Sequence, residues 1–156
     1  MKPARLRRLM NLWPPLFFSG IRVLEIGADW RSARAVLRRR WYNRNYVGVH
    51  FGGSLFAMTD PFWMILVKEC LGRGYLVWDK AAEIEFVAPG RADVFAEFVL
   101  DDALLDELRA ATADGAKHLR WFAVDVKTAS GDVVARVRKQ LYVRRKRDAD
   151  NGAATP

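Results

Sequence analysis

Between Gly52 and Leu71 the apolar residues do not keep to one face: Leu55, Phe56, Met58, Phe62, Trp63, Ile65, Leu66 and Val67 cover nearly every side of a helix. A helix that is apolar all round must be buried, so the rest of the chain has to wrap around this one. Gly52-Gly53 opens the helix and Gly72-Arg-Gly74 closes it. Pro61 removes one backbone hydrogen bond and predicts a bend just after Asp60. Asp60 is the only charged side chain between Arg44 and Lys68. In such surroundings a carboxylate must be hydrogen-bonded, protonated or paired, because an isolated buried ion is too costly. A group held in that way is a candidate for chemistry.

The flanking sequence supplies the wrapping. Ile21, Val23, Leu24 and Ile26, then Gly27-Ala-Asp29, then Ala33, Ala35 and Leu37 alternating with Arg34, Val36 and Arg38, predict two strands joined by a tight turn. After the helix, residues 75–78, 82–87, 94–100, 119–127 and 133–143 read as strands. Asp101-Asp102 followed by Leu104, Leu105, Leu108 and Ala111 interrupts them with an N-capped amphipathic helix. Pro89-Gly90 and Ser130-Gly131-Asp132 mark turns. The predicted class is α+β, a curved antiparallel sheet wrapped around a long central helix. Residues 1–20 form an extra amphipathic helix packed on the domain, 21–147 form the domain itself, and 148–156 read as a disordered tail. A helix too large for its own sheet to cover predicts that two copies pack together, with pairing of dimers into tetramers as an extension.

The length of 156 residues, with 51% hydrophobic and 28% charged side chains, suits one domain with a substantial core. The longest apolar run, Pro61 to Val67, is far short of the roughly 20 residues that span a bilayer. The basic N-terminal stretch is broken by Pro14-Pro15 and lacks a small-residue cleavage site, so it does not read as a secretion signal. A single cysteine, Cys70, forms no intramolecular disulfide or zinc cluster and reads as a small core residue of a cytoplasmic protein. The net charge of +8 attracts phosphates, nucleic acid or anionic lipid, unless the basic runs are simply solvated surface. No aromatic RNA-binding motif, recognition helix or zinc spacing accompanies that charge, which ranks nucleic acid last among partners. Docking of the N-terminal helix on a membrane surface is the alternative to its packing on the domain.

Asn45, Gly52-Gly53 and Asp60, set ahead of a long antiparallel meander, resemble the hotdog-fold thioesterases of the phenylacetyl-CoA type, where an Asn, a His-Gly-Gly and an Asp occur in that order. The N-terminal helix, the arginine-rich second strand and the Asp-Pro step resemble a branch of that superfamily filed as a domain of unknown function. The resemblance implies the hotdog fold over about residues 21–145 and a thioester hydrolase acting on acyl-CoA or an acyl carrier. The interval from Gly53 to Asp60 is the family's, which implies Asp60 as general base or nucleophile. Asn45 stands at the position that orients the thioester or the attacking water. The family's histidine immediately precedes Gly-Gly; here that position is Phe51, and His50 lies one residue earlier.

Elementary chemistry fits these roles. A glycine-opened helix end exposes unpaired N–H groups and a positive dipole end, so Gly52 and Gly53 could polarise a thioester carbonyl. Asp60 lies about seven residues on, on the order of 10 Å along the axis, and would serve the site of a partner subunit. His50, Phe51, Phe56, Met58 and Trp63 are candidates for lining the acyl site. Arg38, Arg39 and Arg40, with Arg120, Arg136 and Arg138, are candidates for holding the phosphates of coenzyme A. No metal is expected, and no cofactor beyond the coenzyme A moiety of the substrate. The alternative is a hotdog protein that binds a fatty acyl group or lipid without cleaving it.

Overall fold

The computed structural model describes residues 1–146, so the tail expected over 148–156 lies outside the described residues. Two short helices open the chain, α1 (Pro3–Leu12) and α2 (Pro14–Ser19), split where Trp13 turns extended ahead of the Pro-Pro step. The single N-terminal helix expected from the sequence is therefore a bent pair, because a proline ring disfavours helical backbone in the residue before it. Strands β1 (Ile21–Ile26) and β2 (Ser32–Leu37) follow as the expected hairpin, with a bulge between Val23 and Glu25.

The central helix over 52–71 comes in two pieces, α3 (Gly52–Ala57) and α4 (Phe62–Leu71), joined by a turn at 58–61. Pro61 has no N–H to continue the ladder. The Thr59 N–H and hydroxyl both donate to the Phe56 carbonyl, and the Asp60 N–H donates to Ala57. The expected bend after Asp60 is thus a break that leaves Asp60 in the turn, outside either helix. Strand β3 (Tyr75–Phe86) runs through both segments predicted for 75–87, carrying a bulge between Asp79 and Ala81. Strand β4 (Val94–Val99) precedes helix α5 (Asp102–Ala111), which Asp101 caps by accepting from Leu104 N–H at 2.7 Å. Strands β5 (Lys117–Thr128) and β6 (Val133–Arg145) form the long closing hairpin.

All pairs are antiparallel, in the order β1-β2-β4-β5-β6-β3. The sheet curves around the central helix in the hotdog architecture. Phe62 and Trp63 of α4 pack on Phe98 (ring centroids 4.8 and 5.2 Å apart), and Trp63 also meets Phe122 at 5.1 Å. The two sheet edges differ. Asn11 of α1 pairs with the β1 edge, accepting from Val23 N–H (2.8 Å) and donating to Val23 C=O (3.0 Å), whereas β3 forms the opposite margin. Among the described residues no helix is long and apolar enough to cross a membrane.

Candidate active site

Along β6 the inward positions read Ala135, Val137, Lys139, Leu141 and Val143, and all five are buried. Lys139 is therefore a lysine in an apolar stripe, with its side chain only 3% exposed. An ammonium carries three donors, and here each finds an oxygen. Nζ lies 2.5 Å from Asp60 Oδ1, 2.5 Å from the Asp60 carbonyl oxygen and 3.1 Å from Asp79 Oδ2. The break in the central helix presents the Asp60 carbonyl to Lys139, and the β3 bulge follows Asp79 directly. The pairing expected of Asp60 is thus found, and its partner is a buried cation.

The two carboxylates are less enclosed than the lysine: Asp60 keeps 51% of its side-chain surface and Asp79 keeps 37%. Partial burial pushes the Asp79 carboxyl above its ordinary range, opposed by the Lys139 charge and hydrogen bond and reinforced by the negative charge of Asp60. One Asp60 oxygen is engaged by Lys139, and the rest of the carboxylate stands half open.

A separate cleft of about 430 Å³ lies beside the first turn of α3 and gathers Asn45, His50, Gly52, Leu55 and Phe86 among its walls. Here the backbone ladder starts with Ser54 and Leu55, whose N–H groups donate to the Phe51 carbonyl at 2.9 and 3.2 Å. Gly52 and Gly53 precede that first bond. A Cβ on Gly52 would come 2.8 Å from the Phe86 ring, and one on Gly53 would collide with the ring of Phe51. Both glycines thus let an aromatic ring lie against the helix entry. Phe51 itself is exposed.

Asn45 shapes the loop before this helix: its Oδ1 accepts from the N–H groups of Val47 and Val49, both at 3.1 Å. His50 is buried. Its Nε2–H donates to the Ala92 carbonyl at 2.7 Å, while Nδ1 has no partner among the described residues. Desolvation pulls the imidazole below its ordinary value, with Arg39 adding to the effect against the Ala92 bond, so the ring is neutral. Met58 and Trp63 lie in the core and Phe56 packs partly buried against it. Cys70 donates to the Trp30 carbonyl at 3.4 Å, and burial pushes its thiol up, away from thiolate chemistry.

The arginines divide. Arg39 holds the Gly48 carbonyl at 2.8 Å, while Arg38 and Arg40 line a different hollow with Trp41 and Tyr42. Arg120 pairs with Glu107 (2.9 Å), Arg136 with Glu85 and Asp125 (3.7 and 3.8 Å), and Arg138 with Glu83 (3.2 Å). Within one chain, then, the candidate residues are spread over the α3 cleft, the Asp60 cluster and the arginine hollow, with Met58 and Trp63 in the core and Arg120, Arg136 and Arg138 ion-paired elsewhere. Lys139 and Asp79 were not singled out as site residues by sequence reasoning. The available signal was a lysine at an inward position of β6, which the basic run Arg136, Arg138, Lys139 concealed.

A family model described as Domain of unknown function (DUF4442) matches residues 3–143. The chain belongs to the DUF4442 family. No curated protein matches it. Among solved structures, this DUF4442 protein is similar to a protein of unknown function from Pseudomonas aeruginosa described as a probable thioesterase. That pair has a TM-score of 0.78 and 20% identity, covering 92% of this chain and 97% of the other. It is also similar to a thioesterase from Haemophilus influenzae, with a TM-score of 0.67 and 17% identity over 93% and 92% of the two chains. At these identities the likeness establishes the hotdog fold that the DUF4442 chain shares with thioesterase-like proteins.

Proposed function

We propose that this protein is an acyl-CoA thioesterase whose site forms between two copies of the chain. The observation that carries the reading is the Asp60 carboxylate: it is pinned on one oxygen by a buried ammonium and half open on the rest, and it sits at a break in the central helix. A carboxylate fixed in this way is pre-oriented for work as a general base. In the proposed reaction, water attacks the thioester carbonyl carbon and gives up a proton to Asp60. The tetrahedral intermediate places its oxyanion on the Gly53 N–H of the facing subunit, a contribution of roughly 3–4 kcal/mol per donor in favourable cases. Collapse breaks the carbon–sulfur bond; the proton passes from Asp60 to the leaving thiolate, giving a carboxylic acid and free coenzyme A. Direct attack by Asp60 through an acyl-anhydride is the variant route. Asn45 would orient the thioester, while Gly52, Phe51, His50, Phe56, Met58 and Trp63 would shape its surroundings. Arg38 and Arg40 would hold the coenzyme phosphates.

A dimer is supported by the sheet edges, since α1 covers β1 while β3 forms the opposite margin of the same sheet. The named neighbours, a probable thioesterase and a thioesterase, support the same reaction class. One observation favours the alternative of a non-catalytic fatty-acyl or lipid binder: His50 is buried, neutral and already bonded to Ala92.

The deciding measurement is release of free thiol from a panel of short, long and aromatic acyl-CoAs. The wild-type protein turns over, and Asp60→Ala does not while keeping its fold and mass. Lys139→Met, which unpins Asp60 without altering it, lowers turnover by about a hundredfold. No thiol release from any substrate, together with lipid carried through purification, would establish the binder.

A further inference from the structure

The charge of this chain is segregated. Residues 1–59 hold eleven of the 26 Lys and Arg side chains but only two of the 18 Asp and Glu, Glu25 and Asp29, so this segment carries +9 and the remainder −1. Among the described residues, only Arg31 and Arg34 of those eleven form an ion pair, with Asp102 (2.6 Å) and Glu97 (2.9 Å). By contrast Arg109, Arg120, Arg136 and Arg138 beyond the segment all have carboxylate partners.

The same segment carries most of the exposed greasy surface: twelve of the seventeen exposed large hydrophobic side chains among the described residues, including Phe18 at 73% and Trp41 at 80%. The two properties meet in one hollow of about 520 Å³ beside β1, where Arg22, Arg38 and Arg40 stand among Phe17, Phe18, Trp41 and Tyr42 and no acid contributes to the wall. Its position is held by Asn43, which is buried. The Asn43 amide donates to the carbonyls of Ser19 (2.9 Å) and Arg38 (2.8 Å), and its Oδ1 accepts from Arg40 N–H at 2.8 Å, tying α2, the end of β2 and the Trp41–Asn43 turn together.

The geometry points to this face as a docking surface for an anionic phospholipid bilayer. Aromatic rings sit at the level of the headgroups, where one side is apolar and the other wet. Arginine forks bind phosphate oxygens bidentately. Arg22 donates to the Asn11 carbonyl at 3.3 Å and lies over the Phe17 ring, and none of the three arginines has a carboxylate partner among the described residues. Exposed apolar residues rimmed by such cations suit that boundary, since the rings are withdrawn from water while the guanidinium groups meet the lipid phosphates. The hollow borders β1, the edge of the sheet opposite β3, so a dimer built on β3 leaves it open. The surface shares Arg38 and Arg40 with the coenzyme-binding role given to them above, and it includes no residue of the Asp60 cluster.

The test is flotation with phosphatidylcholine vesicles, with and without phosphatidylglycerol, using the full chain and no thioester substrate. The protein floats with the anionic vesicles and not with the neutral ones, and added salt weakens the binding. Replacing Arg22, Arg38 and Arg40 by Gln lowers partitioning about a hundredfold, and Trp41→Ser with Phe18→Ser lowers it further. Replacing Lys117, Lys127 and Arg136 by Gln removes the same charge elsewhere and leaves most of the binding. Circular dichroism confirms that each variant is folded. Equal loss from the two triple variants, equal flotation with neutral vesicles, or competition by inorganic phosphate at concentrations too low to screen charge, overturns the proposal. So does tight binding to duplex DNA without flotation.

Discussion

Lys139 shows how a charge survives inside a sheet. Its ammonium has lost nearly all contact with water, which is tolerable only because two carboxylates and a carbonyl replace the lost hydration. Either acid alone still leaves a counter-ion, so Asp60→Ala and Asp79→Ala should each cost about 1–2 kcal/mol. Removing both strands a buried cation and should cost about 3–5 kcal/mol. Urea unfolding of the two single variants and the double variant measures this, and additivity within about 0.5 kcal/mol would remove the coupling claimed here. His50 gives a second handle. The fold holds its imidazole neutral, while the unfolded chain takes up a proton below the ordinary value of 6.5. In that window the unfolded state binds more protons, so stability rises with pH and falls on acidification below about 6.5. His50→Gln should flatten that slope; an unchanged urea midpoint profile in the variant would show that His50 is not the cause. Sequence alone demanded a partner for Asp60, but the residue that answers lies 79 positions away, and no local spacing encodes that separation.

Helix entries and loops set the next level. Gly53 and Gly90 both lack a Cβ, for opposite reasons. A methyl group on Gly53 meets only the ring of Phe51, which is exposed and can swing aside. At Gly90 it meets His50 Cδ2 at 2.8 Å and Val134 at 3.1 Å, both buried. Gly53→Ala should therefore keep stability within about 1 kcal/mol, helped by the better helix propensity of alanine, while reducing thiol release. Gly90→Ala should lose about 1–3 kcal/mol through overpacking. Thermal melts separate the two, and a larger loss in Gly53→Ala would contradict the assignment. Most elements were legible from hydrophobic period: the first hairpin, the capped α5 and the alternation along β5 all follow it. The break between α3 and α4 was readable only as a bend, because Pro61 announces a missing hydrogen bond without saying how many residues will leave the helix.

For the whole molecule, the decisive question is which subunit serves which site. Subunits carrying Asp60→Ala and subunits carrying Gly53→Val should each be inactive as homodimers. Unfolded together and refolded, they form mixed dimers in which one site receives Asp60 from one chain and an intact Gly53 from the other. Random pairing makes half of the dimers mixed and half of their sites whole, so about a quarter of wild-type thiol release should return. No recovery, or a particle mass near the 17.8 kDa of a single chain, would place the chemistry within one subunit or nowhere.

By itself the sequence determined that an apolar helical segment would be enclosed by an antiparallel sheet, that the lone acid beside Pro61 would take a partner, and that the chain would be strongly basic. These follow from local period and from the cost of burying charge, which are properties of neighbouring residues. Only the tertiary structure decided that Lys139 would be the partner, that His50 would be spent on Ala92, and that three arginines with no carboxylate partner among the described residues would gather around exposed aromatic rings. Each of those outcomes depends on sheet register and on segments distant in the chain, where a shift of one residue exchanges the inner face for the outer.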